Sequence, residues 1–326
     1  MTGELRGWLD AAAGTDEGFA RRAWWAVVRR EPEPDALQAA VAKLGDGTLS
    51  RAGLLRQLVT SSEFDRVAVL DDALSFARAE RARPREVRGP ARPRRLRAPA
   101  ASDERAIEIP WCLARFDGEA RVLDVGYAFA EPAWLAGLVA LGADGLVGVD
   151  LASADVPGLR SVVADVRELP FDDGSFELVY CVSTLEHVGR DNDVYAVDAP
   201  RDAEGDGAAL RELRRVLADG GRLIVTVPAG ADEDHGWQVV RTPSTWVERF
   251  ERAGFVVFED ELYVHDADGW RSASAAEAAG RRYGEPGPGA GAVLLAELHP
   301  GSARERLRLA VRDVRHRGDV RRSTVS

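Results

Sequence analysis

The stretch from Arg121 to Leu151, RVLDVGYAFAEPAWLAGLVALGADGLVGVDL, constrains the fold of this chain more than any other. An apolar run, Arg121–Val125, enters a turn at Gly126. A helical pattern follows near Pro132–Leu141, and a second apolar run, Leu146–Asp150, ends on an acid. Strand, glycine turn, helix and strand in that order form the first half of a nucleotide-binding α/β unit, whose helical crossover makes its strands parallel. The turn has one glycine where such sites usually have two or three, and Ala128 and Ala130 occupy the positions where further glycines would stand. Alanine resists positive φ, so a left-handed requirement at either position costs roughly 1 kcal/mol or more.

The alternation continues downstream. Strands are expected at Ser161–Ala164, Phe176–Cys181, Arg222–Val227, Phe255–Val264 and Ala292–Leu298, with helices near Ala208–Leu217 and Pro243–Ala253 and a leading helix over Asp103–Phe116. That is an α/β fold: a seven-stranded, doubly wound, Rossmann-like sheet. The last two strands have no convincing helix between them, and DADGWRSASAAEAAGRRYGEPGPGAG reads as mostly loop.

Around this sheet the composition changes. Residues 1–79 read as a small all-α domain: Asp16 and Glu17 suit a first helical turn, Phe19, Ala23, Ala26 and Val27 form a stripe, Pro34 opens a helix carrying Leu37, Val41 and Leu44, and Leu54, Leu55, Leu58 and Val59 mark a third. Residues 80–102 are Arg-, Pro- and Ala-rich and read as an extended linker. The sheet domain spans 103–300, and 301–326 form a basic tail. A net charge of −11 argues against nucleic-acid partners. Cys112 and Cys181 lie in apolar contexts without metal spacing and read as buried free thiols. No signal-peptide pattern opens the chain and no apolar run reaches the length of a membrane span, so a cytoplasmic location is expected.

Three blocks in order resemble the class I S-adenosylmethionine-dependent methyltransferases. They are VLDVGYAFAEP, then ADVRELPFDDGSFELVYCVSTLEHV, then LRELRRVLADGGRLIVTVP. The resemblance covers Arg121–Pro228 and implies that the last strand inserts antiparallel. It also implies S-adenosylmethionine as cofactor. Asp124, Gly126, Asp150 and Leu151 would bind its methionine and ribose ends, Asp165 and Val166 would frame the adenine, and Ser183 and Thr184 would lie near the sulfonium. Carboxylates suit ribose hydroxyls because they are paired acceptors. A nicotinamide dehydrogenase fits less well, because a dinucleotide pyrophosphate needs the glycine-rich turn. Gly18–Phe64, with its aromatic helix, its R-E-P-E-P and its closing S-S-E-F, resembles the helical domain of unknown function related to phycobilisome linkers. That family often accompanies surface-polysaccharide proteins.

If the acceptor is an alcohol, a base must take its proton. His187, just past the fourth strand, is the natural base, and Glu186 could orient it. His235 and Trp237, on the loop after the fifth strand, would meet the acceptor. The acids of that loop, Asp232, Glu233 and Asp234, read as a solvated face, and no metal is expected. The long acidic insert after His187 reads as a lid or a surface loop. The expected activity is O-methylation of a small molecule or a sugar or cell-envelope glycan precursor. The rival is a non-catalytic binding or assembly module of the same fold.

Overall fold

A computed structural model describes residues 14–28, 31–82, 96–197, 199–287 and 289–301. The chain divides into two compact units: Met1–Asp72 with Glu131–Gly137, and Ala73–Ala130 with Leu138–Ser326.

In the first unit, helices α1 (Asp16–Val28), α2 (Pro34–Gly45) and α3 (Arg51–Val59) share a core of Phe19, Ala23, Trp24, Val28, Leu37, Leu54 and Leu58. The buried stripe of α1 runs through Phe19, Ala20, Ala23, Trp24 and Val28, and Ala26 is exposed, so the face is rotated slightly from the expected one. Ser50 caps α3 by accepting the Gly53 N–H at 3.0 Å. Asp16, in the first turn of α1, takes the Arg51 guanidinium at 2.9 Å. A fourth helix, α4, spans Ser62–Ala82 and passes the expected domain boundary at residue 79.

The second unit is built on one eight-stranded sheet, one strand more than expected. Its strands are β1 (Arg121–Val125), β2 (Gly145–Asp150), β3 (Arg160–Val163), β4 (Phe176–Val182), β5 (Leu217–Pro228), β8 (Phe255–Asp266), β9 (Gly269–Ser272) and β10 (Ala292–Pro300), in the order β3-β2-β1-β4-β5-β10-β8-β9. β1 to β5 are parallel, and β10 lies antiparallel between β5 and β8. The extra strand, β9, is the return arm of a hairpin inside the segment read as loop, which also holds the short helix α9 (Ala275–Ala279). A separate ribbon joins β6 (Glu233–Asp234) to β7 (Val239–Val240).

The remaining helices are α5 (Arg105–Leu113), α6 (Pro132–Ala140), α7 (Gly205–Val216) and α8 (Pro243–Arg252). Leu210, Leu213, Trp246 and Phe250 of α7 and α8 are buried in one core with Val179, Cys181, Val225 and Leu294 of the sheet. Asp206, in the first turn of α7 and 2% exposed, joins the two helices by accepting from Arg241 at 3.0 Å and from Arg249 Nε at 2.8 Å.

The end of the expected linker belongs to this unit. Ala98 bridges to Trp270 of β9, and the Trp270 indole N–H donates to the Ser102 carbonyl at 2.9 Å. Residues 83–95 and the tail beyond Gly301 lie outside the described residues. Cys112 and Cys181 are both free and buried. Among the described residues no helix is long and apolar enough to cross a membrane.

Candidate functional site

The turn after β1 answers the question raised by its single glycine. Gly126 takes φ 88° and ψ 26°. A Cβ there would lie 2.3 Å from Thr184 Oγ1. That hydroxyl is fixed by the carbonyls of Val125 at 3.1 Å and Val182 at 3.0 Å. Tyr127–Phe129 then form a 3-10 turn, and Ala130 is extended at φ −72°. Among the described residues the only non-glycines at positive φ are Ser183 and Ala196. The left-handed requirement therefore falls on Gly126 alone, and Ala128 and Ala130 meet none. Tyr127 is buried, and a Cβ on Gly148 would sit 2.7 Å from its ring. Its hydroxyl accepts the Ala154 N–H at 3.1 Å and bonds Ser161, which pins the turn onto β2 and β3.

Asp150 ends β2 directly beside this turn. Its Oδ2 accepts the Ala128 N–H at 3.0 Å and its Oδ1 the Leu151 N–H at 2.6 Å. Burial raises its pKa, and the backbone hydrogen bonds work in the opposite direction. Each oxygen still has acceptor capacity. Asp124 is buried within β1.

Other sequence candidates are already engaged. The Ser183 hydroxyl donates to Glu108 Oε1 at 2.8 Å, so Ser183 and Thr184 both spend their hydroxyls on the fold. Asp165 is gripped by Arg167, with Nε at 2.9 Å from Oδ1 and Nη2 at 2.6 Å from Oδ2. Burial opposes its ionisation, but the Arg167 hydrogen bonds outweigh it and hold the carboxyl below its usual range. Val166 packs partly buried against the core.

The segment after β4 makes a 3-10 turn, Leu185–His187. His187 Nδ1 lies 2.9 Å from the Trp237 carbonyl. A carbonyl can only accept, so Nδ1 carries the proton and Nε2 keeps a free lone pair. Burial depresses the His187 pKa and favours the neutral ring, although the Trp237 bond opposes this. Glu186 is 3% exposed, its Oε1 is 3.8 Å from His187 Nε2, and its Oε2 has no hydrogen-bond partner among the described residues. Burial pushes its carboxyl up to about 8.

Rings pack against His187. Trp237 stacks on His187 with centroids 5.3 Å apart, and Tyr195 meets His187 edge-on at 5.6 Å. Tyr283 meets Trp237 at 5.9 Å and His235 at 5.2 Å, and Phe129 meets Tyr195 at 5.0 Å. Glu104 and Arg105, at the start of α5, act electrostatically on Glu186. Sequence reasoning passed over Phe129, Tyr195, Tyr283, Glu104, Arg105 and Glu108. Their only visible signals were isolated aromatics in polar loops and acids at a helix start. His235 and Trp237 lie at the tip of the β6–β7 ribbon, where the His235 N–H donates to the Gln238 carbonyl at 3.0 Å.

The acids of that ribbon are paired. Glu233 takes Arg282 at 2.6 Å, Asp234 takes Arg190 at 3.0 Å, and Asp232 accepts the Thr242 N–H at 3.1 Å. Among the described residues no group of three potential ligands converges on a metal position. The insert after His187 is pinched at its base, where the Asp202 N–H donates to the Gly189 carbonyl at 2.9 Å.

A parallel sheet with one antiparallel strand inserted between β5 and β8 has the topology of the class I methyltransferases. Residues 133–225 match the model of the methyltransferase domain family. An uncharacterised protein of Methanocaldococcus jannaschii is 37% identical over 68 residues, covering 21% of this chain and 23% of that one. The chain therefore spans less than a quarter of that relative's length. Among solved structures, the Burkholderia thailandensis 1,6-didemethyltoxoflavin-N1-methyltransferase, with bound 1,6-didemethyltoxoflavin and S-adenosylhomocysteine, is 15% identical with a TM-score of 0.38, covering 86% of this chain and 91% of that one. The YcgJ protein of Bacillus subtilis is 17% identical with a TM-score of 0.38, covering 58% of this chain and 95% of that one.

Proposed function

We propose that this chain is an S-adenosylmethionine-dependent methyltransferase that methylates oxygen on a small molecule or a sugar or cell-envelope glycan precursor. One observation carries the reading. At the carboxyl ends of β1, β2 and β4, a left-handed Gly126 and a half-buried Asp150 with open acceptor capacity share one region of the sheet with a neutral His187 whose Nε2 is free.

The residues fit the cofactor. Asp150 would accept the ribose hydroxyls, and the backbone at Gly126 and Leu151 would line the same edge. Asp165 is tied to Arg167, so adenine recognition would fall on the backbone near Val166 and on the apolar surface there. S-adenosylmethionine supplies an electrophilic methyl group on a sulfonium. The chain's own part is to position the acceptor, worth roughly 7–11 kcal/mol in ideal cases, and to accept its proton at His187 Nε2, worth roughly 10²–10⁴-fold. The Trp237 carbonyl sets the tautomer this requires, and the stacked Trp237 ring holds the imidazole plane.

The sugar or envelope acceptor rests on the resemblance of Gly18–Phe64 to the phycobilisome-linker-related domain. A cytoplasmic site of action belongs to the same reading and agrees with two free, buried thiols.

Thermal unfolding with added ligand tests the proposal. A ligand that binds only the folded state at 100 times its Kd stabilises by about 2.7 kcal/mol. S-adenosylhomocysteine should raise the Tm and NAD should leave it unchanged. A shift with NAD alone would replace the reading with an oxidoreductase. Binding without turnover on any acceptor would favour the non-catalytic module.

A further inference from the structure

We propose that the acceptor carries a protonated amine, held by the carboxylates of Glu186 and Glu104 inside the wall of rings formed by Tyr195, His187, Trp237 and Tyr283. The inference rests on the methyltransferase reading and specifies the substrate class of that site.

The starting point is Glu186. A carboxyl this deeply buried is normally paired or fully hydrogen-bonded, because desolvation of an unpaired polar group is costly. Here Oε2 has no partner among the described residues, and the nearest basic atom, His187 Nε2, is 3.8 Å from the other oxygen. Arg105 attracts Glu186 electrostatically, but its guanidinium pairs with Glu108 Oε2 at 2.5 Å and leaves Oε2 of Glu186 without a hydrogen bond. The second oxygen of Glu108 accepts from Ser183 at 2.8 Å, so Glu108 is satisfied and Glu186 is not.

Glu104 adds negative potential in the same place. It acts on Glu186 and on Tyr283, and Glu186 in turn acts on Tyr195 and Tyr283. Glu186 thus lies beside His187 in the ring stack, and Glu104 acts on both that carboxyl and Tyr283. Without a ligand both acids resist ionisation: burial, followed by repulsion from Glu108, raises Glu104 to about 7, and burial raises Glu186 to about 8.

A ligand that resolves this arrangement brings a positive charge and several donors together. An ammonium has both: it can donate to Glu186 Oε2 and neutralise the pair. The aromatic faces carry negative quadrupoles, which favour a cation over a neutral group of the same shape. A hydroxyl would satisfy one hydrogen bond but bring no charge to favour the ionised carboxylates. His187 is held neutral and so does not repel the ligand.

The test uses the full chain saturated with S-adenosylhomocysteine and two matched probe pairs in calorimetry, tyramine with tyrosol and glucosamine with glucose. In at least one pair the amine should bind at least about tenfold tighter than its neutral partner, a difference of about 1.4 kcal/mol. Glu186→Gln, which keeps shape and removes charge, should abolish that preference and leave S-adenosylhomocysteine affinity unchanged. Glu104→Gln should reduce the preference. Equal affinity within both pairs, no binding by any probe, or a preference that survives Glu186→Gln would overturn the proposal. So would a Glu186→Gln loss confined to the cofactor, which would assign the carboxylate to the cofactor's own ammonium. Folded protein that fails to bind S-adenosylhomocysteine would instead defeat the methyltransferase reading, and this inference with it.

Discussion

Replacing Gly126 with alanine tests whether one glycine suffices for the turn after β1. The new Cβ meets two separate obstacles. Backbone at φ 88° disfavours any L side chain, costing roughly 1–2 kcal/mol. The same Cβ would lie 2.3 Å from Thr184 Oγ1 and 2.8 Å from Thr184 Cγ2, so Thr184 must turn away. Its hydroxyl then leaves the Val125 and Val182 carbonyls, a loss of roughly 0.5–1.5 kcal/mol for each bond not remade. Together these predict a destabilisation of about 2–5 kcal/mol by urea unfolding. For a domain of this size that lowers the Tm by about 4–20 °C. The double variant Gly126→Ala/Thr184→Ala separates the two causes: measured against Thr184→Ala, which already lacks both hydrogen bonds, the added Cβ should cost only the conformational part, about 1–2 kcal/mol. Ala128→Gly and Ala130→Gly serve as controls. Neither position is left-handed, so each glycine should destabilise by about 0.5–1 kcal/mol through added chain entropy. A Gly126→Ala protein within about 0.5 kcal/mol of wild type, or a gain in stability from Ala128→Gly, would refute the reasoning.

Three further outcomes follow from the site and its supports. His187→Ala should lower turnover by roughly 10²–10⁴-fold at unchanged S-adenosylhomocysteine affinity, and near-wild-type turnover would remove His187 as the base. Asp206→Ala removes the buried carboxylate at the start of α7 that Arg241 and Arg249 share, leaving Arg249 its exposed partner Glu204 at 3.0 Å, and should cost about 3–5 kcal/mol in denaturant unfolding; a loss under about 1 kcal/mol would mean the helix start is held by packing alone. Glu186 is protonated in the folded chain up to about 8, against an ordinary value of 4.5. Its contribution to stability is therefore complete below the lower value and is lost as pH rises through the upper one. The stability of Glu186→Gln relative to wild type should grow between about pH 5 and about pH 8, and a gap independent of pH would contradict the burial of that carboxyl.

Period and order in the sequence carried the sheet. The central parallel strands were legible because a strand buried on both faces writes an apolar run, as in Leu146–Val149 and Leu223–Val225. Strand β9 was hidden because Gly269–Ser272 is a four-residue edge strand whose pairing comes from β8 and Ala98, with no alternation of its own. The site was legible where it sits on strand ends and dark where loops converge. Of the proposed site residues, Asp150 closes β2 and His187 lies in the 3-10 turn past β4, positions that the strand pattern points to. Tyr195, Tyr283 and Glu104 come from an insert, a loop and a helix start far apart in the chain, and only the fold brings them to Glu186. Asp165 follows β3 where expected, and its pairing with Arg167 two residues on was not visible in the pattern. Ala128 meets no left-handed requirement because residues 127–129 close as a 3-10 turn.

Isothermal calorimetry of the full chain with S-adenosylhomocysteine, repeated on Asp150→Ala, tests the central claim most directly. The account predicts saturable one-to-one binding by wild type. It also predicts a loss of about 1.5–3 kcal/mol in the variant, the worth of hydrogen bonds to a charged group, with the fold retained. Folded wild-type protein that binds no S-adenosylhomocysteine at millimolar ligand, or an Asp150→Ala protein that binds it equally well, would contradict the account.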